Sequence, residues 1–191
     1  MDSIQQEKLA FTFRYPTQHA VTSDQIGIFL TQILHEHQQD PSHITQITLC
    51  SVVPQLEYSM QAACRKYLPN ATALFLKAGI KTGLHIQYKH TQELGADRVA
   101  NAVGAIAHHP KANIIIVDLG TTTHFSSIKA GKYFLGGAIA PGLKMAMHAM
   151  QNGTAQLPAT EITNQIHVLG QTTKENMQSG IYHGYVGLIT H

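Results

Sequence analysis

Three short stretches of this chain carry side chains whose types and spacing could do chemistry. Asp118-x-Gly120-Thr121-x-Thr123 follows the apolar run Ile114-Ile115-Ile116-Val117. A carboxylate at a strand end can hold a cation, glycine lets backbone amides approach an anion, and threonine hydroxyls add donors; together these suit phosphate plus metal. The same spacing also describes an ordinary Asp-Gly turn between two strands. Gly95-Ala96-Asp97-Arg98 opens a helical pattern. Asp97 then falls in a first turn, where the helix dipole favours its ionised form by about 0.3–1 kcal/mol. An ionised carboxylate can accept a hydroxyl proton, and Arg98 can clamp a substrate carboxylate through two hydrogen bonds. A capping Asp beside a solvent-facing Arg is the alternative. Gly136-Gly137-x-Ile139-x-Pro141-Gly142 concentrates backbone specialists. It reads as a pocket lining where substrate meets backbone, as a tight strand-to-helix crossover, or as both.

Other chemistries find no pattern. The 13 His form no zinc signature, since His35-Glu36-His37 lacks the His-Glu-x-x-His spacing and no Cys-x-x-Cys exists. Gly-x-Ser-x-Gly is absent, so a serine nucleophile lacks support. Met145, Met147 and Met150 read as core filler.

The elements that must position these residues belong to a chain of 191 residues with 43% hydrophobic and 13% charged residues. That is enough for one large domain or two small ones with a buried core. The charged fraction is about half the usual ~25%, yet a net charge of only +2 and ample apolar sequence exclude disorder. If several His titrate near ~6.5, positive charge climbs in mild acid. No basic tract tracks a phosphate backbone, which argues against nucleic acid. Cys50 and Cys64 alone make no disulfide framework, as in a reducing compartment. Met1–Glu7 is polar, without an apolar signal core, and no run nears the ~20 apolar residues of a membrane span. A cytoplasmic protein is expected.

Alternation predicts a strand over Leu9–Arg14; Thr22-Ser23-Asp24 then supplies an N-cap, and Ile26, Phe29, Leu30, Ile33 and Leu34 at helical spacing predict a helix to about His37. A strand over Ile44–Val53, a helix after Pro54, and strands at Ala73–Leu76 and Leu84–Tyr88 follow. A helix from about Glu93 is expected to end near Pro110. Ile114–Val117 reads as a strand buried on both faces. A strand through Phe125–Ile128, a hairpin turn at Lys129–Lys132 and a strand at Tyr133–Leu135 come next. Helices at Leu143–Met150 and from Thr172 onward complete an α/β pattern. The style changes near residue 110, which predicts two lobes. Both chain ends look unfinished: Leu9–Arg14 wants a neighbouring strand, and the last helix is still apolar at its end.

Several stretches occur in an order that resembles one family. They are Cys50-Ser51-Val52-Val53-Pro54, Tyr88 with Gly95-Ala96-Asp97-Arg98, Asn101-Ala102-Val103, and Ile116-Val117-Asp118-Leu119-Gly120-Thr121. Leu135-Gly136-Gly137-Ala138-Ile139-Ala140-Pro141-Gly142, Ala155-Gln156-Leu157-Pro158, and Thr173 followed by Met177–Gly184 complete the series. Together they resemble type III pantothenate kinase, of the acetate and sugar kinase/Hsp70/actin superfold. The resemblance implies two RNase H-like lobes, 1–109 and 110–191. It implies ATP-dependent phosphorylation of pantothenate to 4′-phosphopantothenate, the first step of coenzyme A synthesis, by a homodimer without nucleic acid or membrane partners. In that family's terms Asp97 accepts the hydroxyl proton, and Tyr88, Gly95, Ala96, Asp97, Arg98 and Thr173 contact pantothenate. Thr121 meets the ATP phosphates, Asp118 binds potassium or ammonium, and Mg-ATP is the co-substrate. Departures from the family are also expected. The first strand with its Asp-x-Gly-Asn-Thr phosphate loop and the C-terminal segment are both missing, His90-Thr91 replaces Asn-Pro, and His124 replaces a common Thr. A catalytically impaired remnant that binds pantothenate, regulates or dimerises is the alternative.

Overall fold

The computed structural model describes residues 9–16, 20–77, 80–164 and 167–190. The polar start over Met1–Glu7 and the terminal His191 lie outside them. The chain divides into two compact units, Met1–Ile80 with Gly95–Asp97, and Lys81–Leu94 with Arg98–His191. Among the described residues, five α-helices and two sheets make a mixed α/β fold.

In the first unit, α1 (Ser23–Glu36) starts at Thr22, whose hydroxyl accepts from the Gln25 amide at 3.2 Å. The Gln25 side chain in turn accepts from the Thr22 amide at 2.9 Å, so two otherwise orphaned donors are satisfied. β1 (Gln46–Cys50) and β2 (Thr72–Leu76) pair in parallel, and α2 (Pro54–Tyr67) is the crossover that parallel strands need. Pro54 sits in the first helical turn, where its missing N–H breaks no bond. Val21, Ile26, Leu56 and Ala63 form the core, with Leu30, Val53 and Met60 against it. The strand expected over Ile44–Val53 is therefore shorter: Ser51 turns the chain, its hydroxyl accepting from the Val53 amide at 3.1 Å.

Leu9–Arg14 forms no strand, contrary to the alternation. Alternation reports only which side chains seek cover; here Phe11 and Phe13 find aromatic neighbours without a ladder, and Leu9 stays exposed. Phe11 stacks on His37 with centroids 3.9 Å apart, and Phe13 meets Phe29 edge-on at 5.6 Å.

Asp24 ties α1 to α2, accepting from Lys66 Nζ at 2.8 Å and Tyr67 Oη at 2.9 Å. Those two bonds hold its carboxyl below the ordinary carboxylate value. The tie contributes above that ordinary value and is lost as pH falls through the lowered one. Wild type is thus expected to melt above Asp24→Asn near neutrality, the gap closing as pH drops below about 4, read by thermal denaturation across that range.

The second unit holds β3 (His85–Ile86), most of α3 (Ala96–His108), β4 (Ile114–Leu119), β5 (Thr122–Lys129), β6 (Tyr133–Pro141), α4 (Leu143–Gly153) and α5 (Thr173–Thr190). The sheet order is β3-β6-β5-β4, parallel between β3 and β6 and antiparallel elsewhere. The Lys129–Lys132 hairpin turn has positive φ at both central residues, Ala130 (52°) and Gly131 (59°). That is the turn geometry whose twist matches the strands it joins. Leu94, Ala102, Ile128 and Phe134 make the core between α3 and the sheet. A separate cluster of Met147, Met177 and Ile181 joins α4 to α5; of the expected core methionines, Met145 points outward instead.

Two strand readings need correction. β4 is an edge strand, and Ile115 and Leu119 are 67% and 55% exposed. Its apolar run alternates between a face under α3, through Ile114 and Ile116, and an open face. The Gly136-Gly137 pair lies within β6 and does not end it. Beside it the ladder register shifts, Ser127 pairing with Gly136 and Ile128 with Phe134, so Leu135 is the extra residue of a bulge. Among the described residues no helix is long and apolar enough to cross a membrane.

Candidate functional site

Helix α3 carries the first group of candidates. Positions 98, 102 and 106 recur at helical spacing, and Arg98, Ala102 and Ile106 all face the core of the second unit. Arg98 is therefore inward and only 6% exposed, which removes the solvent-facing alternative. A guanidinium keeps its charge, so burial demands hydrogen bonds. Its Nη1 donates to Tyr88 Oη at 2.9 Å, and its Nη2 donates to the Phe125 carbonyl at 3.2 Å. Nε and Nη2 both donate to Ser126 Oγ, at 3.2 and 3.1 Å. The Phe134 and Tyr88 rings flank it, their centroids 5.4 and 5.9 Å from Cζ. Two expected pantothenate contacts, Tyr88 and Arg98, are thus one bonded pair.

Asp97 precedes Arg98 on α3 and groups with the first unit, as do Gly95 and Ala96. All three are half-buried. Asp97 lies in the first helical turn, close enough to Cys50 that its negative charge adds to burial in pushing that thiol up. Asn101 follows one helical turn later and donates from Nδ2 to Asp118 Oδ2 at 3.0 Å.

Asp118 is half-buried near the end of β4, opposite His124 in the ladder. His124 Nε2 pairs with Thr122 Oγ1 at 2.7 Å. Beyond Asp118 the chain turns through Gly120 and Thr121, both exposed, with the Gly120 amide donating to the Thr122 carbonyl at 3.1 Å. The start of α4 is docked on this turn: the Gly142 amide donates to the Thr121 carbonyl at 3.1 Å. A Cβ at position 142 would overlap the carbonyl oxygens of both Thr121 and Gly120. The positive end of a helix therefore lies beside the Gly-Thr turn, with no side chain capping it, a setting that favours an anion. Gly142→Ala is expected to cost about 1–3 kcal/mol by overpacking. Gly104→Ala, with open space around it in α3, is expected to stabilise by about 0.5–1 kcal/mol. Denaturant titration of both variants checks the contrast.

Thr173 is the exposed first residue of α5. Its position is fixed by Thr172, whose hydroxyl accepts from the Glu175 amide at 3.2 Å, while Glu175 accepts from the Gln171 and Thr172 amides.

Two glycines of the Gly136–Gly142 stretch make room for neighbouring segments of the chain. Gly137 clears room for the Phe125 carbonyl and Arg98, and Gly142 seats the turn. Ser126 was not a candidate from sequence, and Asn101 stood out there only within the Asn101-Ala102-Val103 stretch, with no role given to it.

Among the described residues no three His, Cys, Asp or Glu side chains gather as metal ligands. Asp118 brings one carboxylate and the Asn101 amide to this end of the sheet, too few oxygen donors to cage a divalent cation by themselves.

A Gly-Thr turn and a helix start, which offer donors to phosphate oxygens, gather with a carboxylate, which can hold a cation, at one end of the mixed sheet, the kind of arrangement a phosphate-handling α/β protein uses. The fold is similar to that of a solved Campylobacter jejuni chain described as a Baf family transcriptional activator. That likeness has a TM-score of 0.51 at 20% identity, over 84% of this chain and 67% of the other. The family model for type III pantothenate kinase matches residues 3–191, and the chain belongs to that family. A type III pantothenate kinase of Legionella pneumophila (strain Corby) is 45% identical over 181 residues, 95% of this chain and 70% of the relative. Type III pantothenate kinase 1 of Francisella tularensis subsp. holarctica is 43% identical over 183 residues, 96% of this chain and 71% of the relative. The chain thus spans about 70% of the length of these relatives.

Proposed function

We propose that this chain transfers the terminal phosphoryl group of Mg-ATP to the primary hydroxyl of pantothenate, giving 4′-phosphopantothenate and ADP at the first step of coenzyme A synthesis. The observation that carries this reading is the match of the kinase family over residues 3–191, supported by relatives 43–45% identical over nearly the whole chain.

Phosphoryl transfer asks a protein mainly to place the two oxygens in line and to neutralise phosphate charge. Asp97 is the proton acceptor: as the pantothenate oxygen bonds to phosphorus and the bond to ADP breaks, the hydroxyl proton passes to its carboxylate. Tyr88, Gly95, Ala96, Asp97, Arg98 and Thr173 hold pantothenate. The Tyr88–Arg98 hydrogen bond supports their joint role, because each fixes the other's orientation. Thr121 receives ATP phosphate oxygens, and the α4 start docked beside it supports that role. Asp118 holds potassium or ammonium, with Asn101 orienting its carboxylate. Such an ion, when bound, supplies positive charge near the phosphates.

In this reading the chain has the two RNase H-like lobes of its superfold, 1–109 and 110–191, and acts as a cytoplasmic homodimer. The test is ADP release from Mg-ATP on adding pantothenate, in potassium and in sodium. Pantothenate-dependent release that is faster in potassium is expected. Calorimetric binding of pantothenate without any release would favour a pantothenate-binding protein instead.

A further inference from the structure

Arg98 approaches the sheet at one spot, where β5 and β6 are paired through Ser126 and Gly137. Ser126 is itself buried, and its hydroxyl receives two hydrogens of the guanidinium, from Nε and Nη2. A serine oxygen has two lone pairs, so it can accept both while donating its own hydrogen elsewhere. Two bonds from one edge of a planar group to a single fixed oxygen hold that oxygen in the plane of the group, and a further bond to a second fixed acceptor stops the plane turning about it. The Phe125 carbonyl takes a second hydrogen on the same side, and Tyr88 is bonded from Nη1. Opposite Ser126, Gly137 has no side chain. A Cβ there would overlap the Phe125 carbonyl oxygen and stand 2.8 Å from Arg98 Nη2. The bare glycine and the short serine together cut the seat into which Arg98 fits.

We propose that Ser126, in the space left by Gly137, is a positioning residue that fixes the guanidinium plane of Arg98 and thereby sets the affinity for pantothenate. The proposal rests on the reading of Arg98 as a pantothenate contact, and it assigns Ser126 no contact with substrate.

The experiment is calorimetric titration of the full chain with pantothenate and, separately, with Mg-ADP. The set comprises wild type, Ser126→Ala, Ser126→Thr, Arg98→Ala, and the Ser126→Ala/Arg98→Ala double variant. Losing a hydrogen-bond partner of a charged group is expected to weaken pantothenate binding about tenfold in Ser126→Ala. Mg-ADP binding should stay within about twofold, which a general loss of structure would not allow. Ser126→Thr, which keeps the hydroxyl, should bind pantothenate more tightly than Ser126→Ala. In the Arg98→Ala background the serine replacement should have no further effect. The proposal is overturned if Arg98→Ala weakens pantothenate binding and Ser126→Ala does not, or if the two losses simply add. Arg98→Ala that binds like wild type removes the underlying reading of Arg98, and wild type that binds no pantothenate removes both. Should Ser126→Ala fail to fold, Ser126→Cys, nearly the same shape with a poor acceptor, takes its place under the same criteria.

Discussion

Asp97→Asn is expected to lower kcat for pantothenate phosphorylation by about 10²–10⁴-fold, the usual contribution of a positioned proton acceptor. The amide keeps the shape of the carboxylate and still accepts hydrogen bonds at its position in the first turn of α3, so helix geometry should survive. Only the dipole contribution of about 0.3–1 kcal/mol is at risk. The KM for ATP should stay close to wild type, because Asp97 is assigned to the acceptor alcohol and not to the nucleotide. A steady-state comparison with both substrates varied reads both quantities. A variant that loses ATP affinity and kcat together would place Asp97 in nucleotide binding instead.

The second large effect is on stability. Phe134 is fully buried in the second unit, where its ring packs on Tyr88 at 5.8 Å between centroids and lies under the Arg98 guanidinium. Phe134→Ala removes that ring and leaves a cavity, a change that costs about 3–5 kcal/mol. Against total stabilities of about 5–15 kcal/mol, that loss is enough to leave a large unfolded fraction at physiological temperature. Chemical denaturation measures it. Phe134→Leu, which keeps more of the volume, should recover most of the loss.

Helices were the most legible part of this sequence. The N-cap at Thr22-Ser23-Asp24, and the spacing from Ile26 to Leu34, mark α1 nearly to the residue, because caps and periodicity are local signals. Strands were legible only in outline. The run at Ile114–Val117 announces a strand but not its neighbours, and being an edge is a property of the sheet, not of the segment. Leu9–Arg14 alternates as a strand would, yet strands need ladders, and periodicity cannot name a partner. The same limit applies at the site. The Asp118 and Asp97 stretches stand out because unusual residue types are close in sequence. Ser126 does not, since its importance comes from register opposite Gly137 and from where Arg98 lands. Gly137 and Gly142 were visible as backbone specialists, but whether they face a ligand or the chain itself depends on the strands and turn packed against them.

Phosphorus NMR of Mg-ATP and pantothenate incubated with this chain in potassium observes the transferred atom itself. A phosphomonoester signal that grows as the terminal phosphate signal of ATP decays, and that requires both pantothenate and the Asp97 carboxylate, is the predicted outcome. Inorganic phosphate and ADP without any phosphomonoester, or an unchanged ATP spectrum with pantothenate bound, would contradict the assignment of kinase chemistry to these residues.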